Sequence, residues 1–410
     1  MGTKEFNTLD DFNFQDKTVL LRVDINCPLS KDTLEIEDDN RVRQILPTLK
    51  ELMNKCAKIV ILAHQGRPGD WDFISLEKHA RVLSTVMGKE IRYVDDLLGE
   101  TAITAIKALQ PGEAILLKNV RELPYEQEKK SMEEHAKSDL VKVLAPLADY
   151  FVCDAFAAAH RAHCSLVGFQ AVLPSAAGRL MDKELTALRN VFDNPPKPSI
   201  FVLGGAKFGD SVKVVDRVLS KRIASMVLLV GLTGNAFLKA RGVRLGKPNE
   251  EALSKEVTPE KLEEARKILQ EKGAQILLPY DVAIEMEGKR KEILVGELPL
   301  DHAILDIGKG TIYKFARVLA SAKTVFMSGP AGMIERKNFA LGTKELMLAV
   351  TKSKAYSVIG GGHTVGAAEA FGLASSFSYV STAGGALETY LLGKPLPAVE
   401  ALKVAFSRKG

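Results

Sequence analysis

Short unbroken apolar runs alternate along this chain with stretches of helical periodicity, and that alternation restricts the fold more than any other feature. The runs are rich in Val, Ile and Leu and lack polar alternation, as strands buried on both faces require. They are read at Thr18–Val23, Lys58–Ala63, Ala114–Leu117 and Asp149–Cys153. A second series follows at Ser199–Leu203, Met226–Val230, Gln275–Leu278, Thr324–Met327, Ser357–Ile359 and Ser376–Val380. Helical segments lie between, such as Pro259–Lys272, with Thr258 as N-cap and Pro259 at the first helical position. Such alternation predicts an α/β protein with mostly parallel sheets covered on both faces.

At 410 residues the chain has room for two or three domains. The break is expected near Pro174–Pro198, where SAAGRLMDKELTALRNVFDN reads as one helix closed by the Pro-rich NPPKP. The expectation is therefore two Rossmann-like α/β domains, 1–174 and 198–382, joined by a hinge helix and linker at 175–197. The longest apolar runs are of strand length, and a membrane span needs about 20 residues, so no membrane partner is expected. The start, MGTKEFNTLDDF, has no apolar signal core, and Phe6 breaks the myristoylation pattern. Cys27, Cys56, Cys153 and Cys164 form no CxxC pair, which suits a reduced, cytoplasmic protein. The formal net charge is +5, yet no basic run occurs and aromatics are 6%. A nucleic-acid tract is not expected, and any anion site must be local.

Ligands of open α/β sheets bind at the carboxyl ends of the strands, so the residues after each strand carry the functional reading. The first-half endings are VDIN (Asp24, Asn26), AHQGRP (His64, Arg67), KNVRE (Arg121) and DAFAAAHRAH (His160, Arg161). The second-half endings are LGGAK, VGLTGN, LPYDV, MSGPAG, IGGGHT and VSTAGGA. One domain thus presents Arg and His, the other bare backbone. Arginine forks match phosphate or carboxylate, while glycines let backbone N–H groups approach phosphate oxygens at a helix start. The pair suits two anionic ligands, one small and multiply charged, the other a nucleotide. Arg41 and Arg43 open a helix, where the dipole disfavours cations. They either pair with Asp38 or Asp39 or face an anion.

Blander readings stand beside these. His64 is also an ordinary loop histidine, Lys207 a solvated lysine, and GGG at 360–362 a tight turn. His160 and His163, with Cys153 and Cys164 near, form a zinc candidate that Arg161 between them opposes. No GxxxxGK[ST] occurs, and Val365 breaks GxGxxG. Motif physics alone leads to a two-domain phosphoryl-transfer or phosphate-binding protein.

At these residues the sequence resembles the phosphoglycerate kinase family over essentially its whole length. LRVDINCP is similar to the family's RVDxNVP, AHQGRP to SHLGRP, KNVRE to ENxRF and DAFAAAHRAHCS to DAFGxAHRAHxS. LGGAK, SGPAGMIE, GGGHT, STAGGA and LPAVEAL are similar to LGGAK, GPxGxxE, GGGDT, STGGGA and LPGVxAL, in the same order. The resemblance implies reversible transfer between 1,3-bisphosphoglycerate plus ADP and 3-phosphoglycerate plus ATP, with Mg²⁺ accompanying the nucleotide. It implies phosphoglycerate binding by Asp24, Ile25, Asn26, Arg41, His64, Gln65, Gly66, Arg67, Arg121 and Arg161. It implies nucleotide binding by Gly205, Lys207, Glu335, Gly360, Gly361, Gly362, His363 and Thr364. Arg41, Lys207, Gly361 and Gly384 would act on the phosphoryl group in transit.

Three departures matter. The family's second lysine of GGAKxxDK is Ser211, with Lys213 a nearby substitute. The aspartate of GGGDT is His363, which leaves the metal contact open, and the first glycine of STGGGA is Ala383. His and Ser at these places resemble the archaeal branch. Direct in-line transfer is expected, with closure about the hinge helix and about the segment 383–410, which would return to the first domain. A different acyl-phosphate kinase and a non-enzymatic sensor remain the competing readings.

Overall fold

The computed structural model describes residues 4–205 and 207–408, so Ala206 of the LGGAK loop lies outside the described residues. The chain divides into two compact units, Met1–Leu185 with Lys394–Gly410, and Thr186–Gly393. The division falls inside the helix Arg179–Phe192.

The first unit is built on a parallel sheet of β1 (Thr18–Val23), β2 (Lys58–Leu62), β3 (Arg92–Val94), β4 (Ala114–Leu117), β5 (Tyr150–Asp154) and β6 (Ser175–Ala177). Their spatial order is β3-β4-β2-β1-β5-β6, every neighbouring pair parallel. Alternate residues of the central strands, such as Leu21, Val23, Ile59, Ile61 and Leu116, pack on the helix residues Ile45, Leu49, Leu52 and Leu83. The opposite side chains, Leu20, Val60, Ile115 and Phe151, are equally buried, which explains the unbroken apolar runs.

β6 is a correction to the sequence reading, which placed Ser175–Ala177 in the helix. Ser, Ala and Ala are small enough to lie flat beside Phe151–Cys153 of β5. The helix starts only at Arg179. A Cβ on Gly178 would sit 2.3 Å from the Asp154 carboxyl, so the turn between strand and helix needs glycine. The helix Pro397–Ser407 also belongs to this unit, with the Ala398 N–H donating to the Ala159 carbonyl at 3.2 Å.

The second unit carries β7 (Ser199–Leu203), β8 (Met226–Leu229), β9 (Ile276–Leu277), β10 (Asp281–Met286), β11 (Lys289–Leu294), β12 (Ile304–Ile307), β13 (Thr324–Ser328), β14 (Tyr356–Gly360) and β15 (Tyr379–Ser381). Six form a parallel sheet in the order β15-β14-β13-β7-β8-β9. The direction of winding reverses between β13 and β7, which is where ligands bind in sheets of this kind. The remaining three form a small antiparallel sheet, β11-β10-β12, that periodicity did not reveal. β11 reads KRKEIL, with Lys289 and Lys291 exposed and Arg290 turned in onto Asp306, so it lacks the apolar signature. Glu287 and Gly288, both at positive φ, make its two-residue hairpin turn.

The expected return at 383 also shifts. The helix Gly385–Leu391 stays with the second unit. Leu387 fills the space that a Cβ on Gly360 would take, and Arg217 donates to the Tyr390 and Leu391 carbonyls at 2.9 and 2.8 Å. The chain crosses back only at Lys394. Among the described residues, no helix is long and apolar enough to cross a membrane.

Candidate active site

The first unit gathers cations at the carboxyl ends of β1, β2, β4 and β5. Asp24 follows β1, is nearly buried, and accepts from Arg41 Nη1 at 2.8 Å. Arg41 comes from the short helix Asn40–Gln44. Arg43, two residues on, turns the other way and makes paired 2.8 Å bonds to Asp39. The bland reading of local pairing therefore holds for Arg43 and not for Arg41.

The loop after β2 is braced from within. Asn26 Oδ1 accepts from the Gly66 N–H at 3.0 Å. Gln65 uses both ends of its amide on the Cys27 backbone, at 2.9 and 3.1 Å, and its carbonyl accepts from Asn119 Nδ2 at 2.8 Å. Gln65 and Ile25 are wholly buried, so these two expected substrate residues offer a ligand backbone at most. Arg67 stands exposed beyond the loop.

Arg121 is 3% exposed and gives Nη1 to the Gly66 carbonyl, while Nε and Nη2 find no partner among the described residues. Buried donors without acceptors are costly unless something fills them. Burial, then the charges of Arg161 and Arg22, bring the Arg121 guanidinium down to about 10. Arg161 is lowered too, by burial and then by Arg67. Cations that repel one another around empty donors are stabilised by a multiply charged anion.

His163 answers the zinc reading. Burial and the charges of Arg121, Arg22 and Arg161 hold its imidazole at about 3, so a cation there meets repulsion. No cluster of three or more metal-ligating side chains occurs among the described residues.

Asp24 carries a pH prediction. Burial alone raises its carboxyl, but His64, Arg41, the Asn26 amide and Arg22 outweigh that and hold it at about 2. A depressed carboxyl stabilises the fold above its unfolded value, and the contribution is lost as pH falls through the folded one. Wild type should exceed Asp24→Asn by about 2 kcal/mol at pH 7, the gap closing toward pH 2. Urea unfolding followed by Trp71, the single tryptophan and a residue of this unit, measures it. A gap unchanged between those pH values removes the ion-pair account.

The second unit offers a groove instead. Gly204 and Gly329, following β7 and β13, meet at the reversal point, with the Gly204 N–H donating to the Ser328 carbonyl at 2.8 Å. A cavity of about 290 Å³ lies on one side, lined by Gly204, Gly205, Lys207, Ser211, Gly361 and His363 among others. A second of about 280 Å³ adjoins it, lined by Asn235, Leu305, Pro330, Met333 and Glu335, and again by Gly205 and His363. One suits phosphates and the other a nucleoside.

Two helices begin at the first cavity, Phe208–Ser220 and Gly362–Ala370. Their N-terminal N–H groups and dipoles favour anions. Thr364, buried, accepts from the Gly329 N–H at 2.7 Å and ties the GGG helix to the β13 end. Lys207 is exposed and pairs with Glu388 at 2.6 Å, a partner that the sequence reading did not anticipate. Gly384 does not line the cavity; it opens the helix that carries Glu388.

Ser211, in place of the family's lysine, bonds to the Lys207 carbonyl at 3.1 Å and to Thr233 at 3.3 Å, so it closes the loop. Lys213 lies about 200° round the helix from Ser211, on the face away from Lys207, Ser211 and Val214.

Two parallel-sheet units, one gathering cations and the other presenting glycine edges and helix starts, define an α/β phosphotransferase. The donors on one side match a small polyanion, and the groove on the other matches a nucleotide. Residues 9–394 match the phosphoglycerate kinase family, and the chain belongs to it. It is 46% identical over 399 residues to the phosphoglycerate kinase of Methanopyrus kandleri, covering 97% of this chain and 98% of that one. The enzyme of Methanobacterium bryantii is 43% identical over 397 residues, 97% of both. The crystal structure of phosphoglycerate kinase from Pyrococcus horikoshii OT3 superposes with TM-score 0.88 at 40% identity, covering 98% of this chain and 100% of that chain. That from Coxiella burnetii gives 0.84 at 34%, covering 99% and 100%. The family transfers a phosphoryl group reversibly between 1,3-bisphosphoglycerate and ADP, in glycolysis and its reverse.

Proposed function

We propose that this chain makes 3-phosphoglycerate and ATP from 1,3-bisphosphoglycerate and ADP, and the reverse, by direct in-line transfer. The observation that carries the reading is the Arg121 guanidinium, buried with two nitrogens unpartnered among Arg41, Arg67 and Arg161. Asn26, His64, Arg67, Arg121 and Arg161 bind the phosphoglycerate, with backbone from Ile25 to Gly66. Asp24 orients Arg41 through their 2.8 Å pair, and Arg41 reaches the transferring group. Gly205, Gly361, Gly362, His363 and Thr364 line the nucleotide groove, with Gly360 ending the strand behind them, and Glu335 holds the ribose. Lys207, released from Glu388, and the backbone at Gly361 and Gly384 meet the phosphoryl group in transit.

The acyl phosphate is already activated, so positioning and charge stabilisation carry the catalysis. The two ligands belong to separate units. Closure across the two chain crossings, at 185–186 and 393–394, brings them together and excludes water.

The residues suit a Mg²⁺ ion that arrives with the nucleotide. Such an ion takes oxygen ligands, mostly phosphate and water. Asp210 lines the phosphate cavity near Lys207. Its oxygens can take one position of the ion's shell or hold one of its waters, whereas His363 is a poor donor to so hard a cation. The ion supplies neutralisation of the developing phosphate charge. Four free cysteines, three of them buried, support work in the reducing cytoplasm.

The test is formation of 1,3-bisphosphoglycerate from 3-phosphoglycerate and ATP, coupled to NADH oxidation, with and without Mg²⁺. Magnesium-dependent turnover of about 1–10³ s⁻¹ is expected. No turnover, with both ligands binding in calorimetry, makes the chain a sensor. Arg67→Ala should weaken 3-phosphoglycerate binding by about 1.5–3 kcal/mol, one charge-assisted contact, and leave ATP binding unchanged. The opposite pattern reverses the assignment of the two units.

A further inference from the structure

Arg22 sits inside β1, wholly shielded from solvent, among the apolar residues of TVLLRV. A charged side chain there persists only if it is paired and hydrogen-bonded. Its partners form a directed chain. Arg22 Nε donates to Ser165 Oγ at 2.8 Å. The Ser165 hydroxyl lies 2.6 Å from Glu126 Oε1, and the Ser165 N–H donates to Oε2 at 2.9 Å. Glu126 is fully buried and balances the guanidinium. Nη1 caps the Val23 carbonyl. Nη2 lies 3.0 Å from His64 Nδ1.

The last contact has one chemical solution. A guanidinium carries only N–H donors, so His64 Nδ1 must accept and its proton must sit on Nε2. We propose that Arg22 is a positioning residue that locks His64 as the neutral Nε2–H tautomer, making it a hydrogen-bond donor to the bound phosphoglycerate. This rests on the reading of the first unit as the phosphoglycerate site.

The arrangement answers a real difficulty of this cluster. Arg41, Arg67, Arg121 and Arg161 already crowd positive charge together. A neutral imidazole adds a donor without adding charge. The other tautomer would turn a lone pair toward the anion, and an imidazolium would set N–H against N–H at Arg22. Burial, reinforced by Arg22 and Arg121 against the pull of Asp24, keeps His64 well below the usual histidine range. Among the described residues no protein group bonds His64 Nε2. The Ser165–Glu126 pair keeps the guanidinium plane from turning away, so the lock has a frame as well as a donor.

The experiment uses the full chain labelled with ring-¹⁵N histidine, with His64 assigned by loss of its signals in His64→Gln. Long-range ¹H–¹⁵N correlation should show a bare Nδ1 and a protonated Nε2 in the free wild type. Adding 3-phosphoglycerate should shift the Nε2 signal. The double variant Arg22→Met, Glu126→Gln removes both buried charges at nearly constant volume. It should show both tautomers in exchange and a KM for 3-phosphoglycerate raised about tenfold or more. Its kcat and its KM for ATP should stay within about twofold, which a general loss of structure would not leave in place. A protonated Nδ1 in wild type overturns the role of Arg22. So does a double variant that keeps the single tautomer and the KM. If the double variant does not fold, the wild-type spectrum still decides. A bare Nδ1 whose ring ignores 3-phosphoglycerate overturns the donor role together with the placement of that substrate.

Discussion

Arg41→Ala should lower kcat about 10³-fold, the effect of removing an arginine that meets charge only in the transition state. That is about 4 kcal/mol of barrier. The side chain is placed for it. Arg41 is held by one 2.8 Å bond to Asp24 and is 35% exposed, so part of its guanidinium is open to a ligand. The fold should survive, because Asp24 keeps the Asn26 N–H and the charge of Arg22. Steady-state kinetics separates the possibilities. A fall in kcat with KM nearly unchanged marks a transition-state contact, and a rise in KM alone marks ground-state binding. A loss of less than about tenfold removes Arg41 from the transfer step. Arg43→Ala is the control, since exposed Arg43 pairs with Asp39 off the site, and it should cost little.

Gly329→Ala should be the most damaging small substitution at the nucleotide groove. A Cβ on Gly329 would lie 2.2 Å from the Gly204 carbonyl carbon and 2.6 Å from the Gly205 nitrogen, and φ is +90°. Those are backbone atoms of the neighbouring strand end, so no side chain can swing aside. The ends of β13 and β7 must separate at the point where both cavities meet. We expect a loss of about 3 kcal/mol or more in the stability of this unit, from strain and overpacking together. We also expect ADP affinity to fall at least about tenfold. Gly366→Ala is the comparison, because nothing lies within 4 Å of its Cβ, and alanine favours the helix. Calorimetry of unfolding and of ADP binding reads both. A Gly329→Ala protein that melts and binds ADP like wild type overturns the close-approach argument.

The legible parts of the fold were those where burial on both faces leaves an unbroken apolar run. β1, β4 and β7 begin and end where the pattern places them. The three-residue strands β3 and β6 have no periodicity to read, and β6 is legible only through its neighbour β5. β11 is half solvent-facing and charged, so its partners define it as a strand.

The site divides the same way. Residue type after each strand marked the Arg and His edge and the glycine edge. It could not separate Arg41 from Arg43, because two residues of spacing put them on different faces and only packing decides which face meets Asp24. It ranked Gln65 with the ligands, whereas both ends of its amide brace the Cys27 backbone. It passed over Glu388, far along the chain from Lys207, and over Arg22, whose signal was present as one charge inside an apolar strand.

The sequence by itself determined the alternation of buried strands with helices, the family, and the chemical character of each binding edge. These follow from local pattern and side-chain chemistry, which need no partner. Tertiary structure decided which donors are free, which are braced, and which proton His64 carries. Those properties belong to pairs of groups brought together across dozens of residues, and a hydrogen bond has no meaning until both its ends are in place.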